Sequence, residues 1–497
     1  MFEIIVNGSR HKAVSNKKLI DFLRDDLSLT SVKNGCKEGA CGTCMVLIDG
    51  KPCKACVREL KNLAGKRILT VEGLSVREKD VYSYSFSVSG AVQCGFCIPG
   101  MVISAKALLD RDQDPAPGDV RDAIKNNICR CTGYKKIEEA ILLAAKMFRE
   151  DIPVPEGHYT GKVGENIPRT DAVAKVIGTA QYVADIKIGG MIYGSALRSE
   201  YPRAIIRSID TSEAKKLNGV VGVFTADDIP GKKKIGHLVK DWDVMIPAGS
   251  STRYVGDALA LVAAETPELL EEAKKLIRVE YEILKPLKSP SEALADGAPM
   301  IHEGGNVMSR VELKRGNADE IIKNSKYAVT KKYSLPFTEH AFHEPETAVA
   351  LMEDNEVVRI YSADQGVYQT MKECSEALGL PHEKVRVTAA IIGGGFGGKE
   401  DMSVQHHAAL LTYLTKRPVK VSLTRAESIK VHPKRHAMEI EMTTACDEDG
   451  RLTAMKAIIV SDTGAYASLG GPVLQRACTH AAGPYNYQNI DISGTAV

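Results

Sequence analysis

Short apolar runs alternate with turn pairs through residues 1–75. "FEIIVNG" ends an apolar run in Asn7-Gly8, and "MVLIDGKP" ends another in Asp49-Gly50. Both pairs tolerate positive φ, so each predicts a tight hairpin. Between them "KKLIDFLRDDL" puts Leu19, Ile20, Leu23 and Leu27 on one stripe, the pattern of a short helix. From 76 to 150 the apolar period becomes helical. Pro99 suits the start of "GMVISAKALLD", Pro115 and Pro117 precede "DVRDAIKNN", and "KIEEAILLAAKMFRE" is a third helix. Residues 151–168 are rich in Pro and Gly without periodicity and read as a linker. Mixed α and β patterns follow over 169–290 and again over 300–497. In the first block "ALALVAAETPELLEEAKKLIRVEYEIL" reads strand, helix, strand, with Thr266 as N-cap and Pro267 at the first helical position.

A chain of 497 residues suits three or four domains. Its 44% hydrophobic and 26% charged residues are ordinary for a globular protein. A net charge of +2 argues against nucleic acid or a membrane surface as the main partner. No apolar run reaches the ~18 residues of a membrane helix, and "MFEIIVNGSRHK" lacks the form of a signal peptide. The expected location is cytoplasmic.

Cysteine changes the picture. Nine of the twelve lie in the first 131 residues, and a reducing compartment makes such a cluster a metal-ligand set before a disulfide set. Cys36, Cys41 and Cys44 form C-x₄-C-x₂-C, with Cys56 after eleven intervening residues, the plant-type [2Fe–2S] spacing. Gly35, Gly39 and Gly42 let the backbone wrap closely. Cys53 reads as a bystander on the second hairpin strand. Cys94 and Cys97 form C-x₂-C, and Cys129 and Cys131 form C-x-C, in helical surroundings. Four thiolates there suit zinc as well as a [2Fe–2S] cluster. A second cluster beside the first would make an electron wire. Cys374, Cys446 and Cys478 read as small buried apolar residues.

The stretch "VTAAIIGGGFGGKEDMSVQHHAALL" (387–411) satisfies G-x-G-x-x-G through Gly393, Gly395 and Gly398, and G-x-x-x-x-G-K through Gly393, Gly398 and Lys399. A phosphate loop needs Ser or Thr after the Lys, where Glu400 stands. A dinucleotide fold needs an acid about 20 residues on, where "PVKVSLTR" offers Thr424 and Arg425. Two readings survive: a tight turn without ligand, or backbone brought close to a bulky anionic group, with Phe396 held among glycines. The "HAFH" (His340, His343) and "QHH" (His406, His407) runs lack metal spacing with an acid partner and read as surface or structural.

"CKEGACGTC…CKAC", "QCGFCIPGMVISAKALL", "CRCTGYKKIEEA", "PRTDAVAKVIGTAQYVADI", "YVGDALALVAA", "EPETAVA" and "IIGGGFGGKE" run in one order from Cys36 to Glu400. In that order the chain resembles the molybdenum hydroxylases, the xanthine dehydrogenase and aldehyde oxidoreductase family. The resemblance implies a multidomain α+β fold. A β-grasp, ferredoxin-like [2Fe–2S] domain (1–75) and a helical-bundle [2Fe–2S] domain (76–150) would precede an α/β hammerhead domain (169–290). The first, incomplete molybdenum-cofactor domain would occupy 300–497. It implies two [2Fe–2S] clusters and molybdenum-molybdopterin, the latter as such or as its cytosine dinucleotide.

Residue by residue, Cys36, Cys41, Cys44 and Cys56 would ligate the outer cluster, and Cys94, Cys97, Cys129 and Cys131 the inner one. Gln93 and Cys131 fall on positions that contact the pterin. Gly394, Gly395, Phe396 and Gly397 match the segment under the metal, and Gln365 the position that hydrogen-bonds one of its oxygen ligands. Glu400 and Arg476 match the pair that contacts substrate in xanthine dehydrogenases. A carboxylate and a guanidinium facing each other suit a purine or other N-heteroaromatic ring. The implied reaction is hydroxylation with water as oxygen source, electrons leaving through both clusters to an external acceptor or a flavin subunit. An aldehyde substrate is the alternative within the family, and a non-catalytic iron–sulfur electron-transfer or assembly subunit the alternative outside it. The family's general-base Glu has no counterpart here, and no FAD domain fits between Cys131 and Asn166. The chain is therefore expected to be a fragment or to need a second chain for the rest of the molybdenum part, and to be inactive alone. A homo-oligomer is expected.

Overall fold

Asn7 and Gly8 both adopt left-handed φ (50° and 84°), so the chain reverses at once and Val6 pairs with Ser9. Asp49 and Gly50 do the same (49° and 78°), pairing Ile48 with Lys51. These hairpins build a five-stranded sheet in the order Ser9–Ala13, Phe2–Val6, Arg67–Leu69, Met45–Ile48, Lys51–Lys54. The computed structural model describes residues 2–157 and 159–497. The stripe after Lys18 forms one α turn, Leu19–Asp21, that runs on as a π turn, Phe22–Asp26. Its Leu19, Ile20, Phe22 and Leu23 share a core with Ile4, Val6 and Val46.

Four helices follow: Val76–Val88, Ile98–Leu109, Pro117–Ile124 and Lys135–Arg149. Ser75 and Glu78 close a reciprocal capping box at the first. Helix Ile98–Leu109 is apolar on nearly every side because it has no solvent face: ten of its twelve residues are buried. Met45 and Leu47 of the first sheet join the same core. Among the described residues, 151–168 hold neither helix nor strand.

The two mixed α and β segments do not stand apart. One seven-stranded sheet runs Val385–Ala389, Val357–Ser362, Thr347–Glu353, Val419–Ser422, Ile192–Arg198, Ala258–Ala264, Val220–Phe224. The parallel pairing of Val419–Ser422 with Ile192–Arg198 joins the segments through backbone hydrogen bonds. The anticipated Thr266 cap and Pro267 start of helix Pro267–Leu276 form beside it. A second sheet orders Ser309–Arg315, Asn489–Ala496, Leu452–Asp462, Ala437–Cys446 and Tyr327–Leu335. Helix Gly470–His480 covers part of it with Leu474 and Cys478. Among the described residues no helix is long and apolar enough to cross a membrane.

A buried charge triad fastens the N-terminal module to the segment after the linker. Asp185 receives Arg24 at 2.7 Å and Lys33 at 2.8 Å, with the Lys33 and Asp185 side chains 1% and 4% exposed. The Lys33 ammonium also lies 4.5 Å from the Tyr182 ring centre, and the Tyr182 hydroxyl donates to the Cys94 carbonyl at 2.7 Å. Residues 182–185 thus touch both cysteine-bearing modules. Asp185→Ala strands two cations without a counter-charge and is expected to cost about 3–5 kcal/mol. Chemical denaturation of the full chain measures this, and an unchanged midpoint would show the triad to be dispensable.

Candidate redox and cofactor site

Each anticipated group of four thiols meets in space. Around the first loop, Cys36 shares hydrogen bonds with Cys41 and Cys56, and Cys44 with Cys56. In the helical module Cys94 bonds to Cys131, and Cys129 to both Cys131 and Cys97. These shared protons hold the Cys36 and Cys129 sulfurs far below the usual thiol range and push Cys41, Cys56 and Cys131 up. Thiols that compete for protons in this way form a donor set fitted to a thiophilic cation. Cys53 stands outside, half-buried, with Arg58 4.0 Å from its sulfur. Cys374 and Cys478 are buried as expected, whereas Cys446 is only half-buried.

The two thiol loops are bonded to each other. Ile128 N–H donates to the Cys41 carbonyl at 2.8 Å, and Asn127 Nδ2 to the Gly42 carbonyl at 3.0 Å. Gly42 must be glycine: its φ is 74°, and a Cβ there would lie 2.1 Å from the Asn126 oxygen.

The glycine loop is held from below by a carboxylate from far away in sequence. Gly393 N–H donates to Glu344 Oε2 at 2.7 Å, Glu344 N–H returns a bond to the Gly393 carbonyl at 3.2 Å, and Lys399 Nζ meets the same Oε2 at 3.0 Å. Both side chains of that ion pair are 1% exposed, and the ammonium lies 4.6 Å from the Phe342 ring centre. Gln365 holds the loop from the other side, its Oε1 accepting from Gly397 N–H at 3.1 Å and Lys399 N–H at 3.3 Å. Its Nε2 donates to nothing among the described residues. Phe396 sits at the crest with φ 57°, a conformation that side chains rarely adopt, and is 47% exposed.

A cavity of about 450 Å³ separates this loop from the inner thiol set. Gln93, Cys94 and Cys131 form one wall, and Gly394, Gly395 and Phe396 the other. Arg169 and Lys175 also line it; Lys175 Nζ donates to the Gln93 carbonyl at 3.0 Å, and both cations pair with Asp171. The N–H groups of Gly394, Gly395 and Phe396 find no protein acceptor among the described residues. Free amides and two cations around one cavity suit an anionic ligand. Arg425, which stands where a dinucleotide fold would need its acid, has its guanidinium engaged by the carbonyls of Gly35 and His343.

Neither Glu400 nor Arg476 lines this cavity. Glu400 is half-buried, and Arg476 is exposed on helix Gly470–His480 without an ion pair among the described residues. One bond connects their neighbourhoods: the Ser468 hydroxyl donates to the Asp401 carboxylate. Of the histidines expected at the surface or in structural roles, none is fully exposed. His343, His406 and His407 are buried and His340 is half-buried.

His432 had given no sequence signal, because its partners are remote. Its buried ring reaches Glu339 Oε1 at 2.7 Å through Nε2 and Glu346 Oε1 at 3.2 Å through Nδ1. The donor atoms of Glu339, His340 and His432 lie within 4.8 Å of one another. Lys434 pairs with Glu339 at 3.1 Å, so the cluster balances its own charge as an ion network. Burial opposes charge on His432, but the neighbouring Glu339 and Glu346 carboxylates outweigh it and raise its pKa, while Nδ1 also meets the Ser428 carbonyl.

Four family profiles match in the order of these modules. They are a "2Fe-2S iron-sulfur cluster binding domain" over 12–81 and a "[2Fe-2S] binding domain" over 70–142. The "Aldehyde oxidase and xanthine dehydrogenase, a/b hammerhead domain" follows over 177–285 and the "Molybdopterin cofactor-binding domain" over 301–497. Fold and site define a protein with two iron–sulfur domains joined to molybdopterin-binding domains. The nicotinate dehydrogenase large molybdopterin subunit of Eubacterium barkeri is 38% identical over 67% of this chain and 78% of its own length. The aldehyde oxidoreductase of Megalodesulfovibrio gigas is 32% identical over 99% of this chain, and the crystal structure of the Desulfovibrio gigas aldehyde oxidoreductase superposes with a TM-score of 0.96 at 32% identity. A probable xanthine dehydrogenase component of Bacillus subtilis is 41% identical over 66% of this chain. The chain belongs to the xanthine dehydrogenase and aldehyde oxidoreductase family of molybdenum hydroxylases. It spans 44% of the Bacillus subtilis protein's length and 57% of the Megalodesulfovibrio gigas enzyme's; the Desulfovibrio gigas structure is covered to 58%.

A Cβ at Gly395 would lie 2.2 Å from Gln365 Oε1, so Gly395→Ala should dislodge that amide. Faster hydrogen exchange at Gly397 and Lys399 is the expected result, and unchanged protection would contradict it. For His432 the raised pKa means stabilisation present in full below about pH 6.5 and lost as pH climbs through the raised value. Denaturation from pH 5.5 to 9 should show the wild type's advantage over His432→Gln shrinking at the alkaline end.

Proposed function

We propose that this chain is the electron-transfer and cofactor-binding part of a molybdenum-dependent hydroxylase acting on a purine or other N-heteroaromatic ring. Water supplies the oxygen, and an external acceptor or flavin subunit receives the electrons. The observation that supports this most is the cavity walled by Gln93, Cys94 and Cys131 on one side and Gly394–Phe396 on the other. It sets the inner thiol set against the loop that would carry the molybdenum.

In this reading Cys36, Cys41, Cys44 and Cys56 hold the outer [2Fe–2S] cluster, and Cys94, Cys97, Cys129 and Cys131 the inner one. Gln93 and the amides of Gly394, Gly395 and Phe396 bind the pterin, with Arg169 and Lys175 favouring its negative charge. When bound, the molybdenum cofactor supplies the oxygen-transfer and two-electron chemistry. Gln365, its carbonyl tied down by Gly397 and Lys399, keeps an N–H₂ group free to orient an oxygen in the site. The Ile128-to-Cys41 bond holds both thiol cradles in fixed register.

Glu400 and Arg476 carry the choice of substrate. Together they would grip a ring by complementary hydrogen bonds, and the guanidinium would stabilise negative charge as it develops there. The names of two relatives, a nicotinate dehydrogenase and a xanthine dehydrogenase, agree with a heteroaromatic ring. An aldehyde is the second reading, favoured by one observation. The aldehyde oxidoreductase alignment runs through both iron–sulfur modules, whereas those two relatives align over about two thirds of the chain.

Metal and cofactor analysis of the chain, isolated from cells together with whatever polypeptide accompanies it, tests the proposal. About four iron per chain with molybdenum and pterin is expected, two iron for each cluster. Iron alone would favour an electron carrier without hydroxylase chemistry. Cys129→Ser should lower iron to about two per chain while the outer cluster's spectrum persists. Loss of both clusters, or of neither, would contradict the two-set assignment.

A further inference from the structure

The segment Glu339–Glu346 belongs to the molybdopterin-binding half, yet it threads between all three cradles. At its start, Arg130, which stands between Cys129 and Cys131, donates to the carbonyls of Glu339 (3.4 Å) and His340 (3.1 Å). At its end, Glu344 holds Gly393 of the glycine loop. Between them, the His343 carbonyl accepts from Arg425 at 2.7 Å, and the same guanidinium binds the carbonyl of Gly35, the residue before Cys36. The approach is close enough that a Cβ on Gly35 would lie 3.1 Å from the Cys41 sulfur and 3.2 Å from the His343 oxygen.

His343 itself is 8% exposed, and its Nε2 is buried without a protein partner among the described residues. An unpaired buried imidazole nitrogen is costly unless something outside the chain's own polar groups receives it. We propose that His343 is a positioning residue of the electron path: a donor from the molybdopterin-binding half, set in the seam between the two thiol sets, that raises the reduction potential of at least one cluster. Burial pushes the imidazole pKa down and the Arg425 guanidinium adds to that, while the Cys129 and Cys36 sulfurs pull the other way, one from each thiol set. Reduction adds negative charge to a cluster, and a nearby N–H stabilises that added charge. This role would make each cluster's potential depend on the docking of the molybdopterin-binding half, because Arg425 and Glu344 fix where the ring sits.

The inference rests on the two-cluster reading, and its test separates the two. Iron is counted first in the full chain, because a chain without about four iron sinks the cluster reading itself. EPR-monitored redox titrations then compare wild type, His343→Leu and His343→Gln at matched iron content. His343→Leu is expected to move at least one midpoint to more negative potential by a tenfold change in the oxidised-to-reduced ratio, about 59 mV for one electron. His343→Gln, which keeps an N–H donor, should recover most of that shift. Unchanged midpoints in iron-replete His343→Leu would overturn the role. Should the Leu variant fail to load iron, pulsed EPR of wild type labelled with ¹⁵N-histidine decides. A nitrogen coupling to a reduced cluster that is lost in His343→Gln supports the placement, and the absence of any such coupling overturns it.

Discussion

The glycine loop lies where it does because one carboxylate, Glu344, is shut away from water and bonded to the loop at two points. Removing both Glu344 and Lys399 from solvent is expensive, and a buried pair of this kind adds little net stability. What it adds is position. The carboxylate accepts from the Gly393 amide and the Lys399 ammonium at once, so the loop's first glycine and its terminal lysine are pinned to a single atom. Gly393 packs so near the neighbouring module that a Cβ would lie 2.8 Å from the Phe96 ring. Phe96 sits between Cys94 and Cys97. The closeness of loop and inner thiol set is therefore a packing contact that no larger residue permits.

The same economy governs the seams between modules. Asn127, Arg130 and Arg425 each reach across a boundary to a backbone carbonyl rather than to an opposing charge. Carbonyl acceptors are directional and fixed to the main chain, so these bonds set register where exposed ion pairs would only attract. The charged seam at Asp185 is almost dry and joins the first cysteine module to the segment after the linker, while the Tyr182 hydroxyl three residues earlier holds the Cys94 carbonyl of the second. Together these bonds orient three cradles relative to one another.

Local features were legible in the sequence and remote ones were not. The two hairpins follow from two-residue pairs whose positive φ is a property of those residues alone. The thiol sets follow from spacing within a loop or a helical turn, and the glycine run announces a close approach without naming what approaches. Glu344 lies 49 residues before its partner Gly393, and no spacing rule connects them. His432 was invisible for the same reason, and His343 read only as a surface or structural residue, since each takes its meaning from burial against distant elements. The sheet shared by 192–264 and 347–422 was missed because strand pairing across more than a hundred residues leaves no trace in periodicity. Glu400 and Arg476, which motif likeness singled out, do not line the cavity beside the glycine loop, and the Ser468–Asp401 bond connects their neighbourhoods.

The central claim is that two thiol sets hold two clusters near enough to each other, and to the glycine loop, to act as one conduit. Low-temperature EPR of the fully reduced, iron-loaded chain tests it most directly. The account predicts two distinct [2Fe–2S] signals, each split by magnetic interaction with the other. A single signal, or two signals that never perturb each other at any temperature, would contradict it.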